Sequence, residues 1–452
     1  MNRDLPEEKP GAPESLDGNG RWEDAPRREA AETGGWACPQ MRHAETSHLS
    51  SCLMSEETHT LIDLGRVRRL ALMVTPEVSG EVRDEAWEAV STVRAILKQQ
   101  SRPMRVTLQT VFLRRAEDEL PCRRVLEAYF GSQMPATQFV VQPPCGGQSL
   151  ALEAWAIGGD AVTVQYPAPD VVTVNYDGLR WIYAGGVVSP MTTSAYDQTQ
   201  GALRELARRL GSAGATFGDV VRTWLYMGSI TGAEGDTERY RELNRARTDF
   251  FREQEEAGRM KVQREGAAFY PASTGIGMGG DGLVVGCMAL QTSRTDVRLQ
   301  PLENPCQTSA FQYAQHYSLK SPKFSRAMAV DLGAYVTTWI SGTASIVNAE
   351  SVHLGDVAGQ TEQTIDNIER LISRENMERH GLHGAGARLE DLAKIRVYVK
   401  HADDVATCRA ICERRFGRLP AVYAQADVCR ADLLVEIEGV AFSPRNAERP
   451  AR

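Results

Sequence analysis

The sequence predicts an α+β fold in which three similar units of sheet and helix follow one another in one chain and pack as a pseudo-trimer. Two observations support this prediction: a Pro-Ala-strand-turn-strand pattern that occurs three times, and amphipathic helices that precede each copy. Runs of strands with helices on one face are typical of an α+β sandwich rather than of a doubly wound parallel sheet. A chain of 452 residues is long enough for two to three domains.

The repeat is clearest between the first and third copies. "YFGSQMPATQFVVQPPCGGQSLALEAWA" (129–156) and "RFGRLPAVYAQADVCRADLLVEIEGVA" (415–441) both continue from a helix end through Phe-Gly and Pro-Ala into two strands. The middle copy, "YPASTGIGMGGDGLVVGCMAL" (270–290), has the same Pro-Ala start and apolar finish. The repeated pattern therefore predicts one order of elements in every unit: two or more entry strands, a helix, a strand, a second helix and two final strands.

The helices of the three units are predicted from their 3.6-residue apolar period. The segments "AWEAVSTVRAILKQQ", "QTQGALRELARRL" and "QTEQTIDNIERLI" each carry a one-sided apolar stripe. With these elements, the predicted domains are a first unit at 58–165, a second at 166–295, an active-site linker at 296–324 and a third unit at 325–445. Residues 1–57 are rich in Pro, Gly, Glu and Ser, which predicts a disordered tail.

Composition excludes several classes of function. The net charge of −8 and the absence of a basic stripe argue against a nucleic-acid partner. No uncharged apolar run reaches the roughly 18 residues of a membrane span. Nine scattered cysteines make a poor disulfide framework and favour a reducing cytoplasm. We predict no metal site and no cofactor, because Cys408 and Cys412 lack partners at zinc spacing and the glycine-rich 275–282 precedes a strand.

The last predicted strand, "LLVEIEGVA", contains two glutamates on one face. In an extended strand Glu436 and Glu438 point the same way, opposite to Val435 and Ile437. Burying a carboxylate is costly unless it faces a cleft or a partner. Glu436 is therefore a candidate catalytic acid in a cleft, and the alternative is an edge-strand glutamate that reaches solvent.

Comparison of the copies separates the two glutamates. Glu438 aligns with Glu153 of the first copy and is expected to be structural. Glu436 aligns with Ala151 of the first copy and with Gly286 of the second. We therefore expect one cleft of the three to contain the additional carboxylate.

These patterns resemble the YjgF-like (Rid) fold, whose members have a Pro-Ala strand start and a closing strand similar to "VEIE". That resemblance implies ligand clefts between neighbouring units. Residues 165–445 are also similar to the chorismatases through "YRELNRAR", "FYPASTGIG", "ENPCQTSAFQYAQHYSLKSPKFSRA", "ISGTAS" and "CRADLLVEIEGV". The combination is more specific than any one segment, although Cys306 stands in "ENPCQ" where the family resemblance predicts a basic residue.

The resemblance implies a site between the second and third units. Its implied catalytic residues are Glu436 and Cys429. Its implied substrate-binding residues are Tyr240, Arg247, Tyr313, Tyr317, Arg326 and Gly342. The spacing i, i+4, i+7 also places Tyr240, Asn244 and Arg247 on one helix face. An arginine suits a substrate carboxylate because its planar fork binds both oxygens. A solvated helix face, and tyrosines that only cover the core edge, are the alternatives.

The implied activity is cleavage of the enolpyruvyl ether of chorismate, with pyruvate and 3-hydroxybenzoate as products and Glu436 as proton donor. Three alternatives stay open: hydrolysis to a dihydroxycyclohexadiene carboxylate, a Rid-like enamine or imine deaminase, and a non-catalytic metabolite-binding scaffold. The deaminase lacks support because Thr137, Ser273 and Val422 stand where the Rid fold has an arginine two residues after its proline. The internal pseudo-trimer predicts a monomer.

Overall fold

The structure is a computed structural model that describes residues 53–55, 57–189, 194–261, 269–313 and 320–445. The predicted tail, 1–57, lies almost entirely outside the described residues, and Tyr317 lies outside them as well. Among the helices that are described, none combines the length and the apolar character needed to cross a bilayer.

The first unit is a six-stranded sheet with two helices on its outer face. Most residues of its inner strands are apolar and buried, as expected for a sheet that is packed on both faces. Its elements are β1 (Leu53–Ser55), β2 (His59–Asp63), β3 (Val67–Val74), α1 (Val82–Gln99), β4 (Met104–Leu113), α2 (Glu119–Phe130), β5 (Ala136–Val141) and β6 (Leu150–Gly159). The strand order is β1-β2-β3-β6-β4-β5, with only β4 and β5 parallel.

The second unit repeats this arrangement and adds a short hairpin. Its elements are β7 (Thr163–Ala168), β8 (Val171–Tyr176), β9 (Leu179–Ser189), α3 (Ala195–Ser212), β10 (Val220–Gly228), β11 (Ala233–Glu234), β12 (Thr237–Glu238), α4 (Arg239–Glu256), β13 (Ala272–Met278) and β14 (Leu283–Thr292). The sheet order is β7-β8-β9-β14-β10-β13, so the predicted order of elements is confirmed in this unit as in the first.

The third unit has the same order, β15-β16-β17-β22-β20-β21. Its elements are β15 (Arg298–Leu302), β16 (Ala327–Asp331), β17 (Tyr335–Ala344), β18 (Ile346–Val347), β19 (Glu350–Ser351), α5 (Val357–Ile372), α6 (Arg374–Arg379), β20 (Leu392–Val399), α7 (Val405–Phe416), β21 (Ala421–Gln425) and β22 (Val435–Pro444). The start of the predicted linker thus forms the edge strand β15. Strand β22, which contains both glutamates, lies inside the sheet between β17 and β20.

The three sheets surround a common core, and each sheet has a second core beneath its own helices. The inner core contains residues of all three units, including the ring pair Trp155 and Trp339, whose centroids are 5.4 Å apart. The outer cores lie between each sheet and its own helices. The apolar stripes that predict α1, α3 and α5 are the faces that fill these outer cores.

Hydrogen bonds join the three units pairwise. In the first junction, Gly279 N–H of the second unit donates to the Val141 carbonyl of the first at 2.7 Å. In the next, Ser273 N–H donates to the Ser341 hydroxyl of the third unit at 2.9 Å. In the last, Cys145 N–H of the first unit donates to the Tyr423 carbonyl of the third at 2.9 Å. The edge strand of each unit therefore lies against the next unit, and a cleft can form at each junction.

Candidate active site

A cavity of about 320 Å³ lies between the second and third units. Helix α4 and strand β13 form one wall, and strands β17 and β22 of the third unit form the other. All the predicted site residues that the structure describes line this cavity: Glu436, Cys429, Tyr240, Arg247, Tyr313, Arg326 and Gly342. The site predicted from separate sequence segments is thus brought together at one junction.

Strand β22 places the Glu436 side chain at the cavity, where only 3% of the residue is exposed. The alternative of an edge-strand glutamate in solvent is therefore wrong. Burial raises the pKa of Glu436 to about 8, with a further upward contribution from Glu438 and opposing contributions from Arg222 and Arg326. A carboxyl group with this pKa is protonated at neutral pH and can donate a proton.

Glu438, two residues further along β22, has the opposite environment. Its carboxylate accepts hydrogen bonds from Arg222 Nη2 at 2.7 Å and from Trp224 Nε1 at 3.0 Å, and it contacts the hydroxyl of a threonine in β13. Arg396 Nη1 lies 3.1 Å from its Oε1 atom. Burial alone would raise the pKa of Glu438, but Arg396 and Arg222 outweigh burial and lower it. One face of β22 therefore carries one neutral and one ionised carboxyl group at neutral pH.

Helix α4 presents Tyr240, Asn244 and Arg247 to the cavity, as their spacing predicts. Arg247 Nη2 donates to Asn244 Oδ1 at 2.6 Å, and Nη1 donates to Ser273 Oγ at 3.4 Å. Its Nε atom is buried and has no hydrogen-bond partner among the described residues. An unsatisfied buried donor is rare in folded proteins, and here it belongs to a guanidinium that borders a cavity.

Arg326 reaches the cavity from the residue before β16. Its Nη2 atom donates to the Thr308 carbonyl at 3.1 Å and contacts the Tyr313 hydroxyl. The guanidinium also lies 5.6 Å from the centre of the Phe324 ring. Its Nε atom is likewise buried without a partner in the described part of the chain. These contacts fix the guanidinium plane at the cavity, where a guanidinium can bind a carboxylate.

Gly342 and Cys429 lie beside the acid. A Cβ atom at position 342 would overlap Glu436 Oε1 and lie 3.2 Å from Thr274 Cγ2, so the space beside this glycine is taken by the Glu436 carboxyl group. Burial, followed by the Glu436 carboxylate, raises the pKa of the Cys429 thiol to about 12. Cys429 is therefore a neutral thiol at neutral pH and lacks the thiolate that a nucleophile needs.

Comparison with known proteins identifies the relatives of the chain. A family model described as "Chorismatase FkbO/Hyg5-like, N-terminal" matches residues 155–289. The 3-hydroxybenzoate synthase of Streptomyces hygroscopicus is 34% identical over 296 residues, which are 64% of this chain and 80% of that protein. The chain belongs to the chorismatase family.

Two further members support this membership. A chorismatase of Streptomyces rapamycinicus is 36% identical over 278 residues, which are 59% of this chain and 78% of that protein. A crystal structure of a chorismatase covers 82% of this chain and 98% of its own, with 22% identity and a TM-score of 0.57, and so shows the same fold. The predicted fold class, tandem YjgF-like units in a pseudo-trimer, is confirmed.

Strand pairing corrects one equivalence among the units of this chorismatase-family chain. Tyr226 in β10 and Tyr398 in β20 each lie six residues after the start of a matching β-bulge. Tyr398 pairs with Glu436, and Tyr226 pairs with Val284. Val284, and not Gly286, therefore occupies the place of Glu436 in the second unit, so the predicted alignment was wrong by two residues.

The corrected alignment still leaves Glu436 without a counterpart. In the first unit Ala151 occupies its place, paired with Phe112. Arg326 is equally distinctive: its carbonyl accepts from Ser341 N–H at 3.0 Å, and the residues that make the equivalent bond are Thr58 and Asp170. The acid and this cation thus meet at one junction of the three.

Sequence reasoning missed two basic residues that line the cavity, Arg241 on α4 and Arg430. Arg430 lines it, and its guanidinium lies 5.5 Å from the centre of the Tyr313 ring. Its position beside Cys429, inside a segment shared with the chorismatases, was the available signal. Cys306 is not among the residues that line the cavity, and its sulfur accepts from Arg370 Nη1 at 3.2 Å, so a basic side chain from α5 does reach this point.

Proposed function

We propose that the protein is a chorismatase that cleaves the enolpyruvyl ether of chorismate to pyruvate and 3-hydroxybenzoate. The observation that supports this most directly is the burial of Glu436, which raises its pKa to about 8, in a cavity that two guanidinium groups also line. A volume of about 320 Å³ fits a small metabolite, because ligand cavities typically begin near roughly 300 Å³. Relatives named chorismatase and 3-hydroxybenzoate synthase support the same activity.

Substrate binding follows from charge. Chorismate carries two carboxylates, one on the ring and one on the enolpyruvyl group. Arg247 from the second unit and Arg326 from the third line the cavity, and each would bind one carboxylate through its guanidinium group. Tyr240 and Tyr313 border the same space and would hydrogen-bond the substrate. We include Tyr317 among the substrate-binding residues as a prediction.

The proposed chemistry begins with Glu436. Its proton passes to the terminal methylene carbon of the enolpyruvyl group, which becomes a methyl group and leaves an oxocarbenium ion. The Glu436 carboxylate then stabilises the cation that it created. Capture of the cation by the ring hydroxyl forms a cyclic ketal, and the hydroxyl proton returns to Glu436. The ring C–O bond of that former hydroxyl then breaks, the neighbouring ring carbon loses its hydrogen, and that proton ends on the phenol oxygen as pyruvate and aromatic 3-hydroxybenzoate are released. The two products together contain the atoms of chorismate, so this branch consumes no water and requires no cofactor.

The product branch depends on which oxygen captures the cation. Gly342 and Cys429 lie beside Glu436, where they would limit the space around the reacting carbon. We propose that Cys429 contacts the substrate ring as a neutral thiol rather than as a nucleophile. If water entered instead of the ring hydroxyl, the product would be a dihydroxycyclohexadiene carboxylate.

The test is an assay of pyruvate release from chorismate, coupled to lactate dehydrogenase, with chromatography of the ring product against authentic 3-hydroxybenzoate. Loss of a general acid typically costs about 10²–10⁴-fold in rate, so Glu436→Gln should lose at least this much activity. Glu375→Gln, which changes a glutamate that is 77% exposed on α6 of the same unit, serves as the matched control. Undiminished pyruvate release from Glu436→Gln would remove this residue from the mechanism.

We also expect the chain to act as a monomer, because the cavity is completed by two units of one chain. The scattered cysteines favour a reducing cytoplasm as its location. Sedimentation of the purified protein at several concentrations tests the first point. A mass that rises to three chains would contradict it.

A further inference from the structure

A buried ionic cluster extends from the proposed acid to the centre of the pseudo-trimer. Glu153 of the first unit contacts Lys394 Nζ and Arg396 Nε of the third unit. Arg396 also forms an ion pair with Glu438, and Glu438 forms a second ion pair with Arg222 of the second unit. Each of these side chains is at most 6% exposed. All three units therefore contribute charges to one cluster, although none of the described residues of the first unit lines the cavity.

We propose that Glu438 is a positioning residue for the reaction: its ionised carboxylate, held by Arg222 and Arg396, keeps the proton on Glu436. This inference rests on the proposed function, in which Glu436 donates that proton. It assigns to the cluster a role in protonation of the acid in addition to its role in joining the units.

The placement of the two carboxyl groups requires such an effect. Alternate residues of a strand lie about 6.5–7 Å apart on one face, so Glu436 and Glu438 are neighbours in a buried environment. Two carboxylates this close in a low dielectric do not both ionise easily. Glu438 accepts hydrogen bonds from three side chains, whereas Glu436 accepts none that the described residues provide. This asymmetry decides which of the two retains the proton.

The other groups that face Glu436 do not replace this effect. Arg222 from β10 and Arg326 before β16 both favour ionisation of Glu436. Burial raises the pKa of Tyr240 on α4, and it raises the pKa of Cys429, before β22, to about 12, so both are neutral near pH 7. Arg247, Arg430, Glu238 and Asp432 also line the cavity. Of the charged neighbours that act on the pKa of Glu436, Glu438 has the largest effect, and it opposes the two guanidinium groups.

The decisive variant is Glu438→Gln, which keeps the shape of the side chain and removes its charge. We expect the alkaline limb of kcat/KM, near pH 8 in the wild type, to move about one to two pH units toward acid. At pH 7.5 the variant would lose about 3-fold in kcat/KM for a shift of one unit and about 25-fold for a shift of two units, and near pH 5.5 it would recover most of the wild-type value. A structural role alone would lower the rate at every pH and leave the limb in place.

The matched control is Trp224→Phe. It removes one hydrogen bond to the same carboxylate and leaves the charge of Glu438 unchanged. The limb should therefore stay near pH 8 in this variant. A limb that moves equally in Trp224→Phe and Glu438→Gln would overturn the electrostatic role, because packing around β22 would then explain the shift.

A second readout does not depend on activity. In protein labelled with ¹³C at the glutamate side-chain carboxyl, the resonance that Glu436→Gln lacks identifies Glu436, and its titration can be followed directly. We expect this midpoint to fall by the same one to two units in Glu438→Gln. An unchanged midpoint overturns the inference even if the protein is active. A midpoint that shifts in a protein that releases no pyruvate supports the inference and counts against the proposed function.

A double variant covers the case in which Glu438→Gln does not fold. Glu438→Gln with Arg222→Met removes a neighbouring pair rather than one partner, which proteins tolerate better. Glu438 affects Glu436 more strongly than Arg222 does, so the midpoint should still move toward acid, by less than in the single variant. A shift toward alkali would contradict the order of the two effects and with it the role of Glu438.

Discussion

Replacement of Glu436 by Gln should stabilise the protein, and increasingly so as the pH rises. Glutamine has nearly the shape of a protonated glutamate but has no proton to release. In the wild type, burial and the neighbouring Glu438 carboxylate raise the pKa of Glu436 from 4.5 to about 8 in the folded state. The residue that we propose as the proton donor is therefore one that the fold holds at a cost in stability.

The sign and size of the effect follow from proton linkage. Between pH 4.5 and 8 the unfolded chain has released this proton and the folded chain has kept it, so rising pH favours unfolding. Each unit of pKa difference corresponds to about 1.4 kcal/mol. The wild type should thus lose about 4–5 kcal/mol of unfolding free energy to this group across the whole interval. The loss begins near pH 4.5 and is complete above about pH 8.

The assay is urea unfolding, followed by tryptophan fluorescence, at several pH values between 5 and 8.5. Other titrating groups, such as the buried Glu303, cancel because only the difference between wild type and Glu436→Gln is used. We expect this difference to grow steadily with pH, while the exposed control Glu375→Gln stays within a few tenths of a kcal/mol of the wild type. A constant difference between Glu436→Gln and wild type would refute the raised pKa and the proton donor that depends on it.

Three further predictions concern the cavity and the cluster behind it. Gly342→Ala introduces a methyl group that overlaps the Glu436 carboxyl group, so thermal unfolding should show a loss of about 1–3 kcal/mol and kcat for pyruvate release should fall; wild-type kcat would contradict the placement. Arg326→Lys keeps the charge but loses the planar fork that meets Tyr313, so KM for chorismate should rise about tenfold or more in the pyruvate assay; an unchanged KM would count against carboxylate binding there. Glu153→Gln removes the carboxylate that pairs with buried Lys394 and leaves Arg396 with Glu438 alone, so it should cost about 3–5 kcal/mol in urea unfolding; a stability equal to wild type would show that the units do not depend on this contact.

The fold was predictable because its signals are local and occur three times. Pro-Ala before a strand, a glycine after a helix and a 3.6-residue apolar stripe each indicate one element, and their repetition indicates the unit. The stripe of Tyr240, Asn244 and Arg247 was predictable for the same reason, because helix geometry alone places these residues on one face. The structure confirms that this face borders the cavity.

The alignment of Glu436 with Gly286 failed for a reason specific to strands. Side chains alternate with a period of two, so a shift of two residues leaves every side chain on the same face and keeps the apolar pattern intact. The bulges in β10 and β20 settle the register, and a bulge has no strong sequence signal here. Helices did not suffer this ambiguity, because a two-residue shift turns a helical stripe away from its core.

The ionic cluster could not be predicted because its members come from distant parts of the chain. Glu438 was expected to be structural from its match with Glu153 and to accept hydrogen bonds from the backbone, whereas its donors are side chains. Arg222 and Arg396 lie in strands that otherwise consist largely of buried apolar residues, and their pairing depends on how three sheets meet. Sequence patterns describe the faces of single elements, whereas the pairing of charges between units is a property of the assembled core.

The three units of this chain differ in sequence, so one junction can hold both a proton donor and cations that the other junctions lack. In a trimer of identical subunits, every junction would contain the same residues. At the junction of the second and third units, Arg326 stands where the preceding junction has Asp170. Asp170 is itself close to Arg209, with 3.7 Å between Oδ2 and Nη1, so that junction already contains its own counter-ion. At that junction a dianion such as chorismate would face the carboxylate of Asp170. It would find no proton donor, because Val284 occupies the place of Glu436. The divergence of the units therefore explains why proton donor and carboxylate-binding cations are expected at the same cavity and not at its pseudo-symmetric counterpart.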